Sequence, residues 1–88
     1  MRRRGGGAMS LLRTAYLLEK YGMRLNVEQL AVELGITPGA VRNQISARTF
    51  PIPTYQDQGR RWADAQHVAA YFERRAQEAA EQREGFPA

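Results

Sequence analysis

The sequence predicts a small, mainly α-helical domain that carries one β-hairpin. Three observations support this. Two helical patterns meet across a single glycine, in Leu30-Ala31-Val32-Glu33-Leu34-Gly35-Ile36-Thr37-Pro38-Gly39-Ala40-Val41. A strand–turn–strand pattern occupies Tyr55 to Trp62, with Gln58-Gly59 at its turn. The chain has 88 residues, enough for one domain whose core is small.

The elements follow in order. Ser10 is a candidate cap for a first helix running to about Tyr21, with Gly22 as its stop. Leu11, Ala15 and Leu18, widened by Leu12 and Tyr16, give that helix an apolar face, expected to be its buried one. Asn26 and Gln29 form a capping-box pattern before a helix from Val27 to Leu34, whose inward stripe is Val27, Leu30, Ala31 and Leu34. Gly35 supplies the left-handed residue that reverses the chain. Thr37 caps the next helix and Pro38 takes its first position, where the missing N–H is harmless. That helix extends to about Arg48 and buries Val41 and Ile45, with Ala40 beside them.

Phe50-Pro51-Ile52-Pro53 is forced to be extended by its two prolines. The hairpin follows, and Trp62, beside Phe50, is expected in the core. A final helix starts near Ala63 or Asp64, with Asp64 as its cap and Val68, Tyr71 and Phe72 facing inward. The domain organisation expected is a flexible basic arm over 1–9, a folded unit over 10–75, and a polar, Ala-rich helical extension and tail over 76–88. Helix, helix–turn–helix, hairpin, helix is the order of a winged helix–turn–helix, in which the second helix of the pair enters the DNA major groove.

Charge agrees with a nucleic-acid partner. The net charge is +4, carried by twelve arginines and the single lysine, Lys20. Between Ile36 and Trp62, Arg42, Arg48, Arg60 and Arg61 face one acid, Asp57, whereas the last thirteen residues hold three glutamates and one arginine. Arginine makes bidentate contacts to phosphate and guanine. On the helix after the turn, Arg42, Asn43 and Ser46 lie opposite Val41 and Ile45, with Thr37 and Gly39 near its start. Arg suits guanine, Asn adenine, and Ser or Thr either base edges or phosphate. Arg48 is placed for backbone contact. Arg60 and Arg61 occupy the hairpin's tip and return, and strand alternation turns only one of them to the duplex while the other packs or pairs with Asp57. The expected DNA-contacting set is thus Thr37, Gly39, Arg42, Asn43, Ser46, Arg48, Arg60 and Arg61.

Other classes of function find little support. The segment after Arg2-Arg3-Arg4 is interrupted by Arg13, Glu19 and Lys20, too polar for a secretion signal or a membrane span. There are no cysteines, in keeping with a cytoplasmic protein. The sole histidine, His67, with Asp64 and Glu73 scattered over three turns, is a poor metal or acid–base set. We expect no enzyme, no metal, no cofactor and no small-molecule ligand.

The stretches Leu30 to Val41, Phe50-Pro51-Ile52-Pro53, Gly59-Arg60-Arg61-Trp62 and His67 to Phe72 together resemble the MerR-like winged helix–turn–helix proteins, and within them the small AlpA-type and excisionase-type binders of phages and mobile elements. The opening Leu11-Leu12 to Tyr21-Gly22 and the closing Val68-Ala69-Ala70-Tyr71 are also similar to pyocin activator proteins. Gln44, in place of a bulky apolar residue, and one extra residue between Trp62 and Val68 depart from the family pattern. The resemblance implies duplex DNA as partner, helix 37–48 in the major groove and hairpin 55–62 as the wing. It implies a sequence-specific transcriptional regulator, or alternatively an excisionase-like factor that bends DNA. A protein-interaction module without DNA binding is the reading from another class. Homodimerisation or cooperative assembly on DNA is expected through a seam of Val68, Phe72, Ala76 and Ala79 on the last helix.

Overall fold

The computed structural model describes residues 6–85, in the order α1 (Gly6–Tyr21), β1 (Arg24–Asn26), α2 (Val27–Leu34), α3 (Pro38–Ala47), β2 (Tyr55–Asp57), β3 (Arg60–Asp64) and α4 (Ala65–Gly85). Arg2, Arg3 and Arg4 of the expected basic arm, and Pro87 at the tail, lie outside those residues. Among the described residues, four helices and a three-stranded antiparallel sheet, ordered β1-β3-β2, make a mainly helical domain. No helix among the described residues is long and apolar enough to cross a membrane.

The core is built where α1, α4 and the sheet meet. Leu17, Leu25, Leu30, Ile52, Ala63, Ala65, Val68 and Ala69 are buried there, with Tyr21, Leu34, Phe50, Tyr71 and Phe72 packed around them. A second, smaller cluster of Val27, Ala31 and Val41 joins α2 to α3. Ala31 has the small side chain that lets those two helices approach closely. Phe50 packs against both clusters and ties them together.

Several expectations are corrected. The first helix begins at Gly6, so Ser10 lies inside it, and the Ser10 carbonyl accepts from the Thr14 hydroxyl at 2.8 Å. Ala8 and Met9 are good helix formers, which favours winding ahead of Ser10. The buried face of α1 is also not the expected one. Leu17 is buried at 2% exposure, whereas Leu11, Leu12, Tyr16 and Leu18 are exposed. The side turned to α4 carries Leu17, Tyr21 and the Arg13 guanidinium, which Glu73 of α4 neutralises at 3.2 Å.

The final helix starts at Ala65, later than expected, because residues 62–64 are held in β3. Leu25 pairs with Ala63, Arg24 with Asp64 and Asn26 with Trp62. The Ala65 N–H then donates to the Met23 carbonyl at 2.9 Å, so the ladder ends where α4 begins. The Asp64 carboxylate takes the Tyr55 hydroxyl at 2.8 Å, and among the described residues no α4 backbone N–H reaches it. Trp62 lies outside the core. Opposite residues of an antiparallel pair share a face, so Trp62 stands with Arg24, Tyr55 and Asp57 on the sheet face turned away from Leu25 and Ala63. The Arg24 guanidinium covers its ring at 4.0 Å, and its indole N–H donates to the Asp57 carbonyl. Of the expected dimer seam, Val68 is fully buried within its own chain and Phe72 packs on the same core, while Ala76 and Ala79 are exposed. Helix α4 runs unbroken across residues 75 and 76, the boundary expected between domain and extension.

A polar network fastens α1 to α2. Tyr21 donates its hydroxyl to Glu33, which also takes the Lys20 ammonium at 3.0 Å. Burial, aided by the bond to Glu33, raises the Tyr21 phenol above its ordinary value of 10.0. The folded form therefore keeps this proton when the unfolded chain has lost it. Its contribution is whole below pH 10 and is lost as pH climbs through the folded value. In denaturant titrations at about pH 9 and about pH 11, Tyr21→Phe should lose less stability between the two than the parent chain. An equal loss would remove Tyr21 as the group responsible.

Candidate nucleic-acid interface

The α2–α3 pair is locked by local chemistry. The Asn26 side chain accepts from the Gln29 N–H and the Gln29 side chain accepts from the Asn26 N–H, each at 2.9 Å, which completes a capping box. Gly35 stands in the left-handed region at φ 73, and the Ile36 N–H returns to the Ala31 carbonyl at 3.1 Å. The Thr37 hydroxyl then accepts from the Ala40 N–H at 3.0 Å and Pro38 opens α3. With Val41 buried against Ala31 and Val27, the opposite face of α3 is fixed outward. That face carries Gly39, Arg42, Asn43 and Ser46, all exposed, at helical spacings of three and four.

Beyond α3, Ile52 anchors the chain in the main core and the chain turns into the hairpin. Its turn residues Gln58 and Gly59 both have positive φ, at 56 and 75, the backbone of a tight two-residue hairpin. Asp57 opposes Arg60 across this turn. Arg60 and Arg61 consequently leave β3 on opposite faces, Arg61 on that of Ala63 and Arg60 exposed at the tip, yet both line the same cleft beside α3, contrary to the expectation that only one of them would turn that way. The expected partner of the second arginine is not Asp57. That carboxylate is taken by Arg24 at 2.7 Å, and Arg61 instead donates to the Thr54 hydroxyl at 3.4 Å. Among the described residues no salt bridge involves Arg48, Arg60 or Arg61.

Five of the eight expected residues are drawn together. Arg42, Ser46, Arg60 and Arg61 line a cleft of about 400 Å³ between α3, the start of α2 and the hairpin tip. A neighbouring cleft of about 520 Å³ shares Ser46 and Arg61 and adds Arg48 and Thr54. The two make one groove along α3 with four guanidinium groups around it. Thr37, Gly39 and Asn43 line neither cleft: Thr37, with its hydroxyl engaged as the cap, and Gly39 are at the start of α3, and Asn43 is at its middle. Asp64, His67 and Glu73 are not brought together, because Asp64 bonds Tyr55 and Glu73 bonds Arg13.

Sequence reasoning missed Glu28. This carboxylate, the one acid lining the groove, takes Arg42 Nη2 at 2.7 Å. The Arg42 hydrogen bond is the main cause of its lowered pKa, and the charge of Arg60 adds to it. Glu28 therefore stays ionised below the usual carboxylate range and subtracts one charge from the groove. Glu28→Gln should raise affinity for duplexes of any sequence about 3–10-fold at low salt. Fluorescence anisotropy on a random duplex measures this, and unchanged or weaker binding would show that the groove does not face DNA.

Arg48 ends α3 with φ 62, a left-handed conformation that costs a side-chain-bearing residue about 1–2 kcal/mol and glycine nothing. Arg48→Gly should therefore raise the unfolding midpoint while weakening DNA binding. A variant that lost stability would deny the strain, and one that kept full affinity would deny the phosphate contact.

Comparison with known proteins finds no matching family model, no matching curated protein and no matching solved structure.

Proposed function

We propose that this protein is a sequence-specific double-stranded DNA-binding transcriptional regulator of winged helix–turn–helix build. In this reading α3 enters the major groove and the β2–β3 hairpin is the wing along the sugar–phosphate backbone. The observation that carries the reading is the groove in which Arg42, Ser46 and Arg48 of the α3 segment meet Arg60 and Arg61 of the hairpin. A helix of 10 residues is about 15 Å long, and its outward Arg42, Asn43 and Ser46 are the residue types that read base edges. Arg42 reaches a base by leaving Glu28, an exposed pair of the weakest class. A bidentate guanine contact, worth about 1–3 kcal/mol, exceeds what is given up.

The resemblance of Leu30 to Val41 and Gly59 to Trp62 to MerR-like proteins supports the same reading, and with it a phage or mobile-element origin and action in the bacterial cytoplasm. Selection of bound fragments from sheared genomic DNA by the purified chain, followed by sequencing, tests it. A shared motif of half a turn or more is the expected outcome. Recovery of fragments at random would reduce the activity to non-specific binding, and recovery of none would remove DNA as the partner.

A further inference from the structure

One face of the sheet carries two arginines and two acids, and they are not paired as their register predicts. Register and strand alternation put Arg24 of β1, Tyr55 and Asp57 of β2, and Arg60, Trp62 and Asp64 of β3 on that face. Side chains directly opposite each other are the nearest across a sheet, so Arg24 would meet Asp64 and Arg60 would meet Asp57. Neither pair forms. Asp64 accepts the Tyr55 hydroxyl at 2.8 Å. Arg24 reaches across β3, over the Trp62 ring at 4.0 Å, and takes Asp57 at 2.7 Å. Among the described residues Arg60 is left with no salt bridge.

We infer that Arg24 is a positioning residue for the hairpin: by capturing Asp57 it keeps the Arg60 guanidinium available to a phosphate of duplex DNA. This rests on the DNA reading above. Arg24 lines neither cleft beside α3, so its effect runs through Asp57. Asp57 is the single acid between Tyr55 and Trp62, and it flanks the same two-residue turn as Arg60. A bridge between those two would cancel the charge at the hairpin tip.

The competition for Asp57 favours Arg24. Its side chain is half-buried and rests over Trp62, so it has already given up much of its rotational freedom. Arg60, exposed at the tip, would have to lose that freedom to make the same bond. The acid is held as well, because the Trp62 indole N–H donates to the Asp57 carbonyl at 3.0 Å. Glu28, which lines the cleft together with Arg60, is taken by Arg42 at 2.7 Å.

Duplex binding by the full chain across a salt series reads the effect as a slope. Arg24→Gln should flatten log K against log salt by about one, as much as Arg60→Ala does, because Asp57 then turns to Arg60 and one phosphate contact is lost. Adding Asp57→Asn to Arg24→Gln should restore the parent slope, which a merely structural role for Arg24 would not allow. Adding Arg60→Ala to Arg24→Gln should cost no more slope than Arg60→Ala alone. A further measurement needs no DNA. In the Arg24→Gln background, Asp57→Asn and Arg60→Ala should be coupled about 1.5–5-fold in the folding equilibrium, with little coupling in the parent chain. An unchanged slope for Arg24→Gln, no restoration by Asp57→Asn, additive losses with Arg60→Ala, or no new coupling would each overturn the inference and leave the DNA reading standing. Failure of the parent chain itself to bind duplex would remove the DNA reading, and the inference with it.

Discussion

Leu30→Ala lowers the free energy of unfolding by about 2–5 kcal/mol, the range for removing a fully buried leucine from a core that collapses only partly around the cavity. Leu30 is completely buried and sits in the cluster where α2, α4 and the sheet meet. Small domains are stable by about 5–15 kcal/mol in total, so this single change removes a large share. Leu17→Ala belongs to the same class, being 2% exposed on α1. Its neighbour Leu18, and Leu11 two turns earlier, should each cost no more than about 0.5 kcal/mol when changed to alanine, as expected for surface positions. Urea titration of the four variants tests the orientation of α1 residue by residue. A large loss for Leu11→Ala with little for Leu17→Ala would mean that the helix is turned the other way.

Arg42→Ala lowers affinity for the selected site by about 1–3 kcal/mol and relaxes the preference at the base it reads, a larger loss than the one it causes on random duplex. Asn43→Ala should do the same at a neighbouring base. Arg60→Ala and Arg61→Ala behave otherwise, weakening selected and random duplexes alike and flattening the dependence on salt by about one phosphate contact each. The contrast follows from the placement of these side chains. Arg42 and Asn43 are on the outward face of a helix fixed by Val41, whereas the two hairpin arginines sit on a short ribbon on either side of a tight turn. Anisotropy titrations with cognate and scrambled duplexes separate the two classes. Identical behaviour in all four variants would erase the distinction between reading helix and backbone-gripping hairpin.

The parts of the fold legible in the sequence are those specified by neighbouring residues. The Asn26–Gln29 capping box, the left-handed Gly35, the Thr37 cap with Pro38 behind it and the Gln58-Gly59 turn each act over two to four positions, and the structure has all of them. What local pattern does not encode is partnership. Strand β1 is three residues long and forms because Leu25 finds Ala63, a pairing distant in the chain, and that pairing delays the start of α4 to Ala65. The apolar stripe of α1 is present in the sequence, but periodicity states that a stripe exists and not which neighbour covers it. The inward side could be partly polar because Arg13 meets Glu73.

The candidate site shows the same division. Charge spacing located the arginines of the groove, and helix periodicity placed Arg42 and Ser46 on its α3 wall. Glu28 was hidden because its pair with Arg42 crosses from one helix to another, outside the spacings that reveal ion pairs within a helix. The partner of Asp57 was misassigned for a related reason, since Arg24 reaches it from a strand the sequence did not disclose.

The most direct test of the central claim is binding of the purified chain to duplex DNA across a salt series. The groove of Arg42, Arg48, Arg60 and Arg61 predicts a linear fall of log K with log salt, with a slope near −3 to −4 if about four phosphates or their equivalents are neutralised. It also predicts that the double change Arg60→Ala with Arg61→Ala reduces that slope by about two. Absence of duplex binding at low salt, or a slope indifferent to both hairpin arginines, would contradict it.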